Sequence, residues 1–298
     1  LSSDIPIINQ ISSHIISSGG KRMRPILHLL ISGMDGDIEE VNHKIAAIIE
    51  FIHTATLLHD DVVDQSAKRR NIKTANAIFG NAASVLVGDF IYSRSFQMMV
   101  GINNMKIMNI LSNTTNAISE GEVLQLLNSH NPDVNEEQYF KVIQFKTAKL
   151  FEACGSLAAI SNNNSAEKIN LYSKLGFHFG IIFQLIDDIL DYSGNASQIG
   201  KNLGDDLSEG KITLPLIYAM KDSNKTQCKL IKDAIKVGDI RKLPDIIEII
   251  EDTKSIAKVQ IKSEEQLSSI KIILDKIPKN DYKRTVLELA EYCVSRKN

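Results

Sequence analysis

The chain has 298 residues, 43% hydrophobic and 23% charged, with a formal net charge of −2. That length supports one large domain or two small ones, each with an ordinary globular core. The charge balance gives no electrostatic case for binding nucleic acid or an anionic membrane surface. Three scattered cysteines, Cys154, Cys228 and Cys293, have no metal-ligand spacing. They read as reduced thiols in the cytoplasm rather than as a disulfide framework. No uninterrupted apolar run reaches the ~18 residues of a membrane span, and no signal peptide is visible. The start at Leu1 rather than Met suggests a trimmed N-terminus.

In chain order, apolar positions at three- and four-residue spacing predict helices through Ile45–Leu58, Ala82–Val100, Ile107–Leu127 and Tyr139–Ile160. The pattern resumes through Ile169–Leu190, Leu214–Met220, Leu230–Val237 and Ile246–Leu274, with a last helix around Val286–Val294. Short breaks fall at Gly19-Gly20, Asp35–Asp37, His130–Pro132, Asn162–Ser165, Gly194–Ser197, Asp222–Lys225 and Pro278–Asp281. No alternating strand pattern stands out. The predicted architecture is all-α, a single domain over 1–298 whose long helices surround a central cavity.

Two of these helices end in the same acidic pentapeptide. FIHTATLLH runs into DDVVD (Asp60, Asp61, Asp64), and FHFGIIFQLI runs into DDILD (Asp187, Asp188, Asp191). Positions i, i+1 and i+4 of a helix lie within about 100° of one another, so each copy is expected to present three carboxylates on one face. Carboxylates ~4 Å apart repel by about 1 kcal/mol in water and about 4 kcal/mol near a protein surface. One such motif is explained by a solvated acidic helix end. Two, each following an apolar run, point to bound divalent cations. Oxygen donors without His or Cys at ligand spacing suit magnesium, which completes its shell with water and phosphate oxygens.

The cations are local. GGKRMRP places Lys21, Arg22 and Arg24 beside two glycines and at the start of a helix. Such a turn lets backbone approach an anion, with guanidinium and ammonium groups around it. His53 lies about two turns before Asp60 on nearly the same face, whereas His59 reads as structural. Arg69 and Arg70 follow the first acidic motif after a short loop. Lys146 and Thr147 sit in QFKTAKLF, and Gln184 shares a face with Asp187 at i, i+3 spacing. GKNLGDDLSEGKITLP adds Lys201, Asp205, Asp206 and Lys211, as a lid or outer layer to the same site. Acidic triads, cations and an apolar interior together describe a pocket for a diphosphate with a hydrocarbon tail. In it the leaving diphosphate would be neutralised and water excluded from an allylic cation.

These motifs, in this order and spacing from GGKRMRP to GDDLSEGKITLPL, resemble the trans-polyprenyl diphosphate synthase family. The stretch FIHTATLLHDDVVD to TANAIFGNAASVLVGDFIYSRSFQMM is most similar to its bacterial octaprenyl members. The resemblance implies that Asp60 and Asp64 hold magnesium on the allylic diphosphate, supported by Asp61. Asp187, Asp188 and Asp191 would complete the metal cluster from a facing helix, with Asp187 the direct ligand. It further implies that Lys21, Arg24, His53 and Arg70 hold isopentenyl diphosphate. Arg69, Lys146, Thr147, Gln184, Lys201 and, more weakly, Lys211 would hold the allylic diphosphate. The implied protein is a homodimer; the sequence shows no membrane span, and a long apolar product would make a transient membrane contact plausible for its unloading.

In the family the residue five before the first acidic motif gates the product tunnel. Here it is Ala55, about 7.5 Å along the helix from Asp60, with Thr56 beside it. Small residues there imply a long product, octaprenyl diphosphate grown from farnesyl diphosphate as a quinone side-chain precursor. The bland alternative is that Ala55 only packs against a neighbouring helix. Ile212 stands where the family usually has Pro, and the helix normally preceding the glycine pair is expected to be short. Four competing functions follow from the same residues: a non-catalytic subunit of a heteromeric synthase, a shorter-chain synthase, a simple metal-binding structural protein, for which the cations would be unneeded, and a terpene cyclase. Intact triads argue against the first, and a second diphosphate site argues against the last.

Overall fold

A computed structural model describes residues 1–193 and 203–296. Their contacts group into two units, one of Leu1–Thr115 with Ala153–Tyr172 and one of Asn116–Glu152 with Ser173–Asn298. In keeping with the periodicity, the described residues are helical almost throughout.

Helix α3 (Glu40–Val63) organises the first unit, after α1 (Pro6–Ser17) and α2 (Met23–Gly33). A capping box between Glu39 and Asn42 opens it, pairing orphan amide donors at its start. Ile45, Ile48, Ile49, Ile52, Ala55 and Leu58 then recur at helical spacing and are completely buried. Burial gains about 1.5–3 kcal/mol per large aliphatic side chain, against a helix-propensity deficit of at most about 0.7 kcal/mol for isoleucine, so packing decides. Helix α5 (Asn81–Ile102), after the short α4 (Ala75–Phe79), lies close along α3 because Gly88 has no side chain. A Cβ there would run into the ring of His59. Helix α6 (Met105–Asn128) follows.

Between α3 and α4 the structure departs from the expected absence of strands. Lys68–Arg69 (β1) and Ile72–Lys73 (β2) pair antiparallel, joined by Arg70 and Asn71 with φ of 53° and 64°. Two left-handed residues in a two-residue turn are what a tight hairpin requires. Two residues per strand are too few for an alternation to show in the sequence.

Helices α7 (Glu136–Ile143), α8 (Lys149–Ser161) and α9 (Ala166–Ser193) supply residues to the second unit, followed by α10 (Asp205–Ser208), α11 (Leu214–Asp222) and α12 (Lys225–Val237). Helices α13 (Leu243–Asp252), α14 (Ser255–Asp275) and α15 (Asp281–Ser295) complete it. The predicted helix Tyr139–Ile160 contains a π-helical turn at Gln144–Ala148. Gly121 and Gly180 make room for that turn: a Cβ on Gly121 would lie 2.5 Å from the Lys146 amide nitrogen, and one on Gly180 2.7 Å from Ala148 Cα. The predicted helix Ile246–Leu274 is two helices, divided where Lys254 adopts φ 53°. Phe151 packs on Phe179 and Phe183 at centroid distances of 5.6 and 5.4 Å.

Candidate active site

In the first unit, α3 carries His53, Asp60 and Asp61, and Asp64 caps its C-terminal end, about three turns beyond His53. Arg24 Nη1 lies 3.2 Å from His53 Nε2, and since guanidinium only donates, that nitrogen accepts. Desolvation, followed by the charges of Arg24, Arg69, Arg70 and Arg22, holds the imidazole pKa well below its ordinary value. His53 is therefore a neutral group inside a cluster of guanidinium ions. Arg70 donates to the Gly19 carbonyl, and its Nη1 lies 2.7 Å from where a Cβ on Gly20 would sit. Gly20 also has φ +140°, so glycine is needed there twice over. Lys21 is exposed at the same turn.

Arg22 departs from the expected trio of diphosphate-facing cations. It sits in the left-handed region at φ 50° and ψ 34°, with its guanidinium directed to Glu50 of α3 and, at 2.8 Å, to the Ile16 carbonyl of α1. Its charge is turned into the protein.

The first acidic motif also divides. Asp61 is fully buried, with Oδ1 accepting from Arg69 Nε at 2.9 Å and Nη2 at 2.8 Å. Its other oxygen is buried without a hydrogen-bond partner. Burial raises the Asp61 pKa and Arg69 pulls it back. Asp60 and Asp64 keep partial exposure. Arg69 is the last residue of β1 and reaches Asp61, whereas Arg70 is the first residue of the turn, where a left-handed φ of 53° redirects the chain, and reaches Gly19. The three carboxylates expected on one face are thus two outward-lying groups and one inward, salt-bridged group.

The second unit repeats the division. Asp188 is 1% exposed, and Oδ2 accepts from Tyr139 OH at 2.5 Å while Oδ1 accepts from Gln184 Nε2 at 2.7 Å. Thr147 Oγ1 donates to Gln184 Oε1 at 2.8 Å, fixing which end of the amide faces the carboxylate. Burial, and then Asp206, push the Asp188 pKa well up, while Tyr139 and Gln184 oppose the shift. Asp187 is partly exposed. Asp191 is buried and accepts from the Asp206 amide at 3.3 Å, and its carbonyl takes the Gly204 amide at 3.0 Å. Lys146, on the π turn, pairs with Glu122 at 2.6 Å, and Lys211 with Glu209 at 2.6 Å. π turns recur at functional sites because the extra residue re-aims neighbouring side chains. Asp205 is partly exposed at the start of α10, and Lys201 lies outside the described residues. Ile212 is 9% exposed, and an apolar side chain suits that position.

Among the described residues, no three His, Cys, Asp or Glu side chains converge as a ready-made cation cage. The donor set nevertheless fits magnesium, which takes one or two carboxylates per ion and leaves other positions to water and phosphate. Asp60 and Asp64 offer such a pair, and Asp187 a single carboxylate.

Ala55 is completely buried among Ile11, Ile15, Leu58, Ala75, Val87 and Ile91. Thr56 is partly exposed, with Oγ1 donating to the His53 carbonyl at 2.8 Å. His59 has Nε2 3.2 Å from the Val85 carbonyl and 3.3 Å from Asp89, in line with its structural reading. Sequence reasoning missed Glu50, Glu122 and Tyr139. Only Tyr139 left a trace, as a phenol on an apolar helical face, where a buried hydroxyl needs a partner. No helix among the described residues is long and apolar enough to cross a membrane.

Residues 5–252 match the family model described as polyprenyl synthetase. The chain is 45% identical over 297 residues to the octaprenyl diphosphate synthase of Escherichia coli (strain K12), covering 99% of this chain and 92% of that protein. It is 41% identical over 298 residues to an all-trans-nonaprenyl-diphosphate synthase (geranyl-diphosphate specific) of Rhodobacter capsulatus, covering 99% and 91%. The polyprenyl synthase of Caulobacter crescentus CB15, crystallised with calcium and isoprenyl diphosphate, superposes with a TM-score of 0.96 at 39% identity, covering 100% of this chain and 91% of that one. The chain belongs to the polyprenyl synthetase family and is a prenyltransferase of the trans-polyprenyl type.

Proposed function

We propose that this enzyme condenses an allylic diphosphate, farnesyl diphosphate, with successive isopentenyl diphosphates to give octaprenyl diphosphate for quinone side chains, using magnesium. One observation carries the reading. A neutral His53 sits among Arg24, Arg69, Arg70 and Arg22 on the same helix that ends in Asp60 and Asp64. Such a cluster favours a polyanion, and the carboxylates beside it suit a divalent cation.

In this reading Lys21, Arg24, His53 and Arg70 hold isopentenyl diphosphate, and Arg69, Lys146, Thr147, Gln184, Lys201 and Lys211 hold the allylic diphosphate. Asp60, Asp64 and Asp187 are the metal ligands. Asp61, Asp188 and Asp191 support them, with Asp61 and Asp188 held inward by Arg69 and Tyr139. Bound magnesium would supply neutralising charge to the departing diphosphate. The allylic C–O bond breaks with its electron pair leaving on oxygen. The isopentenyl double bond attacks the allylic carbon, and a proton passes to the released diphosphate. Side chains bind, orient and exclude water, and none acts as nucleophile.

The whole chain acts as one synthase domain in the cytoplasm, as a homodimer. Supporting a second copy, Leu86, Val100 and Met105 of the first unit are 67%, 64% and 78% exposed, and Val123, Leu126 and Leu127 of the second are also exposed. Exposed large apolar side chains of this kind are available to an association surface. Sedimentation would show a species of twice the chain mass.

The deciding experiment incubates the protein with farnesyl diphosphate, labelled isopentenyl diphosphate and magnesium, then sizes the dephosphorylated products. An octaprenyl product supports the full reading. A farnesyl- or geranylgeranyl-length product keeps the reaction and overturns the length. No incorporation by folded protein overturns the reading in favour of a non-catalytic subunit.

A further inference from the structure

Glu50, on α3, is directed at Arg22 in the basic turn that precedes α2. It lies three residues before His53, close to the same face of the helix. Its carboxylate is 17% exposed and takes the Arg22 guanidinium, whose second terminal nitrogen bonds the Ile16 carbonyl at 2.8 Å. Arg22 therefore ties together α1, the turn and α3. The backbone around it is unusual for its length: Gly19, Gly20 and Arg22 all have positive φ, and Arg22 has a side chain that disfavours it. An uncommon conformation at a non-glycine residue persists only where surrounding contacts impose it. The contacts that impose it here are those of Glu50 and Ile16.

This turn carries Lys21 on one side of Arg22 and Arg24 on the other. Arg70 closes it from the hairpin by bonding the Gly19 carbonyl, and Arg24 meets His53 at 3.2 Å. We propose that Glu50 and Arg22 are positioning residues for the isopentenyl diphosphate site: the pair fixes the left-handed turn that sets Lys21 and Arg24 in register with His53. The inference rests on the assignment of Lys21, Arg24, His53 and Arg70 to that diphosphate.

Electrostatics alone predicts the opposite of positioning. A carboxylate inside a cation cluster opposes binding of a diphosphate, so its removal would tighten binding. If Glu50 acts by holding Arg22, its removal frees the turn and weakens binding. Glu50→Ala is expected to raise KM for isopentenyl diphosphate about tenfold, with kcat and KM for the allylic diphosphate changed less than about threefold. Glu50→Gln keeps an acceptor for Arg22 and is expected to restore most of that loss. Amide exchange at Gly20 to Met23 is expected to accelerate in Glu50→Ala alone.

A lowered or unchanged isopentenyl KM in Glu50→Ala overturns the inference. So does an equal change in both KM values and kcat, which would indicate general damage. Lys21→Ala, measured beside them, tests the underlying assignment: an unchanged isopentenyl KM there removes the site reading itself, whatever Glu50 does.

Discussion

Arg69 directs both Nε and Nη2 to a single oxygen of Asp61, at 2.9 and 2.8 Å, so the middle carboxylate of the first acidic motif is tied to the hairpin behind it. Its neighbours Asp60 and Asp64 keep partial exposure. The same sequence motif thus contains two kinds of aspartate, which mutation separates. Asp61→Ala strands a largely buried guanidinium and is expected to lower stability by about 2–4 kcal/mol. Asp60→Ala is expected to leave stability nearly unchanged while lowering turnover at least ~100-fold, about 3 kcal/mol of barrier. Urea unfolding and a product assay on both variants check the contrast.

Tyr139 plays the corresponding part for Asp188, with a 2.5 Å hydrogen bond to a carboxylate that is 1% exposed. Tyr139→Phe removes the donor and leaves the ring in place. Leaving a buried acceptor without its donor costs about 1–3 kcal/mol, so a stability loss in that range is expected. A fall of roughly tenfold in kcat would accompany it if Asp188 must be oriented for its neighbour Asp187 to act, about 1.4 kcal/mol of barrier. Chemical denaturation and steady-state kinetics measure the two effects separately.

Two helical glycines give opposite expectations. A Cβ on Gly180 would lie 2.7 Å from Ala148 Cα and 3.0 Å from Phe151 Cβ, and backbone cannot move aside cheaply. Gly180→Ala is expected to destabilise by about 1–3 kcal/mol and to disturb the π turn that carries Lys146 and Thr147. Gly101, near the end of α5, meets nothing within 4 Å, and Gly101→Ala is expected to stabilise by about 0.5–1 kcal/mol. Melting midpoints of the pair decide it.

His28 makes the fold sensitive to acid. It is completely buried, with Nδ1 3.0 Å from the Cys154 carbonyl, and desolvation lowers its pKa from 6.5 to about 4. Between those values the unfolded chain holds a proton that the folded chain refuses, so stability rises with pH there. The contribution is present above the unfolded pKa and lost as pH falls from 6.5 toward 4. From pH 7 to pH 5 the loss is about 2 kcal/mol, at 1.36 kcal/mol per pKa unit. His28→Gln is expected to remove that part of the pH dependence, as read from urea unfolding of both proteins at the two pH values.

Product length is tested on α3 itself. Ala55→Tyr is expected to shorten the product. Because Ala55 is completely buried beside Ile11 and Val87, the substitution also overpacks by about 1–3 kcal/mol. Thr56→Tyr places the ring one position along, on the partly exposed strip that carries His53 and Asp60. Unchanged length in Ala55→Tyr with a lower melting point would make Ala55 a packing residue. Shortening in Thr56→Tyr alone would move the gate by one residue.

The helices were legible because their signal is local and repeated: apolar residues every three or four positions along α3, α5 and α9 admit one periodicity. The acidic motifs, the glycine–cation turn and the helical positions of His53 and Gln184 were legible for the same reason, since spacing on a helix fixes a common face. What one-dimensional spacing cannot carry is depth. Asp60 and Asp61 are adjacent and chemically identical, yet only the pairing of Lys68–Arg69 with Ile72–Lys73 brings Arg69 onto one of them. Arg22 and Arg24 read alike in GGKRMRP. The left-handed φ of Arg22 sends one to Glu50 while the other meets His53. The π turn at Gln144–Ala148 is likewise silent in the sequence, because it depends on the room left by Gly121 and Gly180 on other helices. The sequence by itself determined which elements form and which chemistry the chain carries. Tertiary structure alone decided which of two like residues is buried, because burial and pairing depend on neighbours distant along the chain.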